Sequence, residues 1–417
     1  MSSRKRSRDV AGLEKKEVRN ERVAHLSMEQ VEALYCRYLQ GEKVASLFEE
    51  FSVLAPVNSV LRLLPAIERK DLVCPHCDSV AVQKRSGRNR AANTPYCIGC
   101  DHIYPLWPER HCKCGGCAQR FIASLNGEGV EGRVPLGGLT SREKILLLAA
   151  LSMTRQSETT SFSTLHHKPW HSKLAPTSSY HEKCLAVLLG RRAILVSPNT
   201  LPEAVDTYRE TCKYQALRWV PNVSVATVSD VALEIEPLMN LIYNDLWRRK
   251  PQLDATLVEL AYELAEEELV EYLYFRIERL NINFKAERAL RNVVKSLLSS
   301  SSISNIFSFI WKAVAQADNA FKKKLVNYAS HAGNLIPSGI VRAAEYGESK
   351  DKRDEYDRPS YSKVCQISQV IYELLLDDFD GAFKIPLPRY IDEIMRPVLE
   401  GISTASEIKR SWLDQPL

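Results

Sequence analysis

The sequence predicts a mainly α-helical protein with a small metal-held β-hairpin near its front. Three observations predict it. Two Cys-x2-Cys pairs, Cys74/Cys77 and Cys97/Cys100, stand 19 residues apart. Apolar residues recur at three- and four-residue steps through residues 27–66. The same period returns from Leu238 onward over most of the remaining chain.

The helices of 27–66 can be placed individually. Ser27 is a good N-cap with Gln30 at the capping-box position, and Val31, Leu34, Tyr35, Tyr38 and Leu39 form the first apolar stripe. Gly41 ends that helix. Val44, Ala45, Leu47, Phe48 and Phe51 mark a second, Ser52–Leu54 a turn, and Pro56 opens a third carrying Val60, Leu61 and Leu64.

In the cysteine block, each Cys-x2-Cys knuckle aims two thiolates at one ion, and two knuckles on facing hairpins complete a tetrahedral site. Ser79–Lys84 fits one strand, a polar turn follows through Gly87, and Thr94–Tyr96 leads back. Such a fragment has too little apolar material to fold without metal. The prediction is a zinc ribbon whose Zn2+ is structural, because four sulfurs leave no position for substrate. A second set follows: Cys112, Cys114 and Cys117 with His111 or His102 offer ligands for a second ion, with other partitions of the same residues open.

The rest divides by composition. Residues 1–26 are a charged tail with a basic tip at Arg4, Lys5, Arg6 and Arg8; 27–69 hold the three helices and 70–120 the ribbon with its Cys-rich extension. Residues 121–138 form a glycine-rich linker, 139–237 a mixed helix/strand domain, and 238–417 a helical domain. In the mixed part, Thr140 caps an apolar helix, residues 155–178 read as loop, and 179–190 as helix. Ala193–Val196 and Leu217–Val225 read as strands, with a short helix after Pro202 between them, a pattern that fits a winged-helix-like insert. Ser299–Ser302 reads as a break or cap before an amphipathic helix at Ile306–Leu325, residues 346–361 as an exposed loop, and Val364–Leu376 as helix.

Charge and composition narrow the function classes. Hydrophobic residues make up 45% and charged residues 26%, so a packed core is expected rather than disorder. Residues 1–135 hold 21 Lys and Arg against 16 Asp and Glu, whereas the remainder holds 35 of each, so any polyanion site is expected in the front third. The longest apolar run, Ile145–Met153, falls far below the roughly 18 residues that span a bilayer, and a cytoplasmic, membrane-free protein is expected.

The phrase Gly41–Val53 resembles the second helix and turn of resolvase- and transposase-type helix-turn-helix domains, although Ser52 stands where those usually carry glycine. Followed by a zinc ribbon, it resembles the DNA-binding front end of bacterial mobile-element proteins over about residues 27–120. The resemblance implies double-stranded DNA as partner, with the third helix in the major groove. Asn58, Ser59 and Arg62 would then face bases, and Lys84, Arg85, Arg88 and Arg90 at the hairpin tip would face phosphates. Ile310–Ala313, Ala332–Asn334 and Asp357–Pro359 faintly resemble the back half of uncharacterised bacterial proteins, which implies no activity.

No enzyme motif stands out. His166, His167 and His171, with His181 and Cys184 beyond, lack the carboxylates and helix that would make them a metal site, and read as a loop. Glu263, Glu266, Glu267, Glu268, Glu271 and Glu278 crowd one helix and read as its solvated face. No small-molecule substrate is evident. The expected function is a non-enzymatic, zinc-containing DNA-binding regulator or targeting factor of a mobile-element or anti-phage defence system. The alternatives are a nucleic-acid enzyme with an unrecognised site behind residue 139, and a protein-interaction adaptor.

Overall fold

The structure, a computed structural model, describes residues 20–104, 112–127, 132–154, 160–164, 173–225, 234–249, 255–349, 356–358 and 364–413. It is mainly helical and forms two compact units, one of Met1–Leu125 with Leu201–Asp206, the other of Asn126–Thr200 with Thr207–Leu417. No helix among the described residues is long and apolar enough to cross a membrane.

The first unit begins with helices α1 (Met28–Leu39) and α2 (Val44–Glu50) and a third, short one. That third element is a 3-10 turn at Val57–Ser59 running into α3 (Val60–Leu63). The Ser27/Gln30 capping box closes as the sequence predicts. Ser52, in the turn after α2, adopts φ 54, the left-handed region that glycine would enter more easily. Val31, Leu34, Phe48, Val53, Val60, Leu63 and Leu64 make the core. Val23 and Leu26 join it, so residues assigned to the tail belong to the fold. The sheet follows: β1 (Ile67–Val73), β2 (Val80–Gln83) and β3 (Tyr96–Cys97), antiparallel in the order β1-β2-β3. β1 starts inside the segment expected to be helix-turn-helix. Helix α4 (Gly115–Asn126) closes the cysteine block.

In the second unit, a parallel bridge pairs β4 (Val134–Pro135) with β8 (Val223–Ser224). Between them in sequence lie α5 (Ser141–Leu151), β5 (Phe162–Ser163), α6 (Ser178–Gly190), β6 (Ile194–Val196), α7 (Pro202–Thr211), whose first turns through Asp206 belong to the first unit, and β7 (Arg218–Pro221). The sheet order is β5-β7-β6, both pairs antiparallel. β5 falls in a stretch expected to be loop.

Helices α8 (Ile235–Arg249), α9 (Ala255–Ile277), α10 (Glu287–Leu297), α11 (Ile303–Lys322), α12 (Ala329–Asn334) and α13 (Ile336–Ser349) follow. Ser302 caps α11, and the Tyr272 ring of α9 stacks on Phe307 of α11 at 3.9 Å. A Cβ on Gly339 would stand 3.0 Å from Ala313 Cβ, so the missing side chain sets how closely α13 approaches α11. Residues Gln366–Leu375 are helical as expected, the last seven with π geometry. The expected division at 237–238 falls inside this unit. α5, buried from Glu143 to Leu151, packs against α8 and α9 as well as α6.

The acidic face of α9 departs most from expectation. Glu266 and Glu267 are buried, and most of the row is paired rather than solvated. Arg142 and Lys183 reach Glu263 at 2.7 and 3.1 Å, and the Tyr180 hydroxyl donates to it at 2.5 Å. Arg291 lies 2.8 Å from Glu266 and 2.6 Å from Glu267, Arg358 3.1 Å from Glu268, and Lys173 pairs with Glu271. Only Glu278, past the helix end, is exposed as expected. Periodicity could not show this, because the cations come from segments up to 121 residues away in sequence.

Candidate metal centres

The two knuckles have the same backbone design. Cys74 N–H donates to Ser79 O at 2.9 Å and Asp78 N–H to Cys74 O at 3.0 Å. Cys97 N–H donates to His102 O at 2.7 Å and Asp101 N–H to Cys97 O at 3.0 Å. The residue after each second cysteine, Asp78 and Asp101, has φ 56. Aspartate tolerates this region better than most residues. It turns the chain so that both sulfurs of a knuckle point inward.

The four sulfurs of Cys74, Cys77, Cys97 and Cys100 converge within 4.8 Å. Cys74–Cys100, Cys77–Cys97 and Cys77–Cys100 stand 3.4, 3.3 and 3.7 Å apart. A tetrahedron with metal–sulfur bonds of about 2.3 Å has edges of about 3.8 Å, so the cluster is close to the right size for zinc. Ser79, through its hydroxyl and backbone N–H, lowers the Cys77 thiol to about 6, towards the thiolate that a metal binds. Burial pushes the Cys100 thiol up. Gly99 leaves room here, since a Cβ would stand 3.2 Å from Cys77 Sγ.

A second cluster gathers His76, His102, Cys114 and Cys117. His102 Nδ1 is 3.3 Å from Cys117 Sγ and 3.7 Å from Cys114 Sγ, and His76 Nε2 is 3.3 Å from Cys117 Sγ. The expected set therefore changes. Cys114 and Cys117 join it, with His102 as one of the two histidines foreseen. Cys112 is not among the four converging donors. Its sulfur lies beside them and accepts N–H bonds from Ile103 (3.1 Å) and Cys114 (3.4 Å). His111 lies outside the described residues. His76 was missed because it sits between two ligands of the other site, and a Cys-Pro-His-Cys run spends its signal on the cysteines. Only folding shows that the His76 ring leaves the first knuckle and meets α4, where a Cβ on Gly116 would fall 2.5 Å from His76 Cγ.

The donor chemistry, four thiols in one cluster and two thiols with two imidazoles in the other, fits two tetrahedral zinc-type ions with no open position. No protein-family model, curated protein or solved structure matches this chain.

The residues expected at nucleic acid divide in two. Arg85 is buried: it pairs with Glu32, donates to Pro65 O at 2.9 Å, and lies 4.6 Å over the Tyr35 ring. Arg88 donates to Tyr38 O and Glu42 O and covers the Tyr38 ring at 4.5 Å. Ser86 exchanges hydrogen bonds with the Tyr35 hydroxyl at 3.0 and 3.1 Å. The turn thus clasps α1 with both guanidinium groups, Arg85 buried and Arg88 still exposed. Asn58, Arg62, Lys84 and Arg90 are exposed, Lys84 lying 5.8 Å from the Tyr96 ring. Ser59 is half-buried and donates to Pro56 O at 2.6 Å. The loop histidines His166, His167 and His171 lie outside the described residues. His181 is buried 2.9 Å from Thr164 Oγ1, and Cys184 is buried nearby in α6.

Proposed function

We propose that residues 20–125 form a zinc-braced DNA-binding module in which two Zn2+ ions are structural, and that the chain is a regulator or targeting factor. One observation carries the reading. The left-handed turn at Ser52 leads into a short helix that buries Val60 and Leu63 while leaving Asn58 and Arg62 exposed. Those are the residue types that read adenine and guanine edges. Lys84 and Arg90, exposed on the hairpin, add phosphate contacts. A winged-helix-like reading of residues 139–225 is supported by α6 leading into the antiparallel strands β6 and β7.

A protein-contact reading has its own support. Leu54 and Val57, at the entry to the same helix, are 88% and 54% exposed. Binding of the full chain to duplex DNA over a salt series separates the two. DNA binding predicts affinity falling steeply with salt, and a loss of about tenfold or more for Arg62→Ala. Negligible binding at low salt would overturn it in favour of the adaptor.

A further inference from the structure

We propose that the two metal sites fill in a fixed order, the Cys74/Cys77/Cys97/Cys100 site first and the His76/His102/Cys114/Cys117 site second, so that the second ion is a conditional staple between the ribbon and α4. The proposal rests on the reading that both clusters bind metal.

Both histidines of the second site are built by the first. His76 lies between Cys74 and Cys77, and the His102 carbonyl closes the other knuckle by accepting the Cys97 N–H at 2.7 Å. Once four thiolates hold one ion, the two knuckles face each other and the imidazoles come together. Their ring centres stand 5.0 Å apart, edge to face, with Tyr104 packed 4.7 Å behind His102. Without that ion, His76 and His102 are single donors on two unclosed loops. Only Cys114 and Cys117, spaced Cys-x2-Cys at the start of α4, remain as a ready chelate.

The dependence is asymmetric in construction. The first site draws nothing from α4, whereas the second needs both knuckles and the helix. A metal meets the second site with an affinity reduced by the fraction of molecules whose knuckles are already closed. Linkage makes the coupling factor mutual, so the second ion also tightens the first. The order is then set by intrinsic affinity, which favours the site with two complete Cys-x2-Cys chelates.

Titrating the metal-free full chain with Co2+ tests this without any variant. Thiolate-to-cobalt charge-transfer absorbance per ion grows with the number of thiolates. The first equivalent is expected to give the four-thiolate spectrum, and the second the weaker one of a mixed imidazole–thiolate site. The mixed spectrum appearing first, or both developing together from the first addition, overturns the order. Uptake of fewer than two equivalents overturns the two-site reading itself, and stoichiometry tells the two failures apart. Native mass spectrometry of Cys114→Ser should find one zinc, and of Cys100→Ser none. One zinc retained by Cys100→Ser would show that the second site forms alone and would also overturn the order.

Discussion

The buried guanidinium of Arg85 donates through Nη1 to Glu32 Oε2 at 3.0 Å, joining the hairpin turn to α1 across 53 residues of sequence. The carboxylate is half-exposed, but the guanidinium is out of water and is also held by Pro65 O and the Tyr35 ring. Arg85→Met should therefore destabilise the first unit by about 2 kcal/mol, less than breaking a fully buried pair costs, because the Glu32 carboxylate left behind keeps contact with water. Lys84→Ala and Arg90→Ala, on the exposed side of the same turn, should leave the melting temperature nearly unchanged. Thermal denaturation of the metal-loaded protein checks this. Equal effects from all three would deny that Arg85 is a clasp.

Gly116 gives a selective handle on the second metal site. A methyl group there meets the root of the His76 ring at 2.5 Å, which a rotamer change at the far end of a side chain cannot relieve. Gly116→Ala should lower the metal content from two ions to one while keeping the four-cysteine site. Metal analysis after gel filtration reads the result, and an unchanged content of two would contradict the packing described.

Arg291 neutralises two adjacent buried carboxylates, Glu266 and Glu267. Its replacement by methionine leaves both charges without their main partner, and a loss of about 3 kcal/mol is expected in denaturant unfolding. Lys295, more exposed and 3.5 Å from Glu266, should cost less than about 1 kcal/mol when changed to alanine.

Acid stability should depend on Glu263. Burial alone would raise its carboxyl, but the hydrogen bonds from Tyr180, Arg142 and Lys183 together hold it below the ordinary carboxylate range. The folded state therefore favours the ionised form. Its contribution is fully present above about pH 4.3, the unfolded value, and is lost as pH falls through the lower folded value. Glu263→Gln should flatten the fall in melting temperature between about pH 5 and pH 3. A variant with the same acid slope as the parent would remove Glu263 from the list of groups responsible.

Local signals in the sequence carried further than expected in some places and failed in others. Capping boxes at Ser27 and Thr140, the turn at Ser52 and the two Cys-x2-Cys knuckles were all legible, because each depends on residues within a few positions of one another. The mixed strand and helix pattern around α6 and β6 was legible for the same reason. Partnerships were not. The glutamates of α9 looked like a solvated face because charge on a helix carries no mark of which distant cation will meet it. Arg85 looked like a phosphate contact because a basic turn in a strand pair gives no sign that Glu32 and Tyr35 lie beneath it.

The sequence by itself determined that the chain is mainly helical, that four cysteines gather in one cluster, and that more donors follow behind it. Only the tertiary structure decided that His76 joins His102, Cys114 and Cys117, and that Arg85 and Arg88 clasp α1. The physical reason is one of range. Turn geometry and chelate spacing are set by neighbours along the chain. The fourth ligand of a site and the counter-charge of a buried ion are chosen by whatever the folded chain brings within a few ångströms.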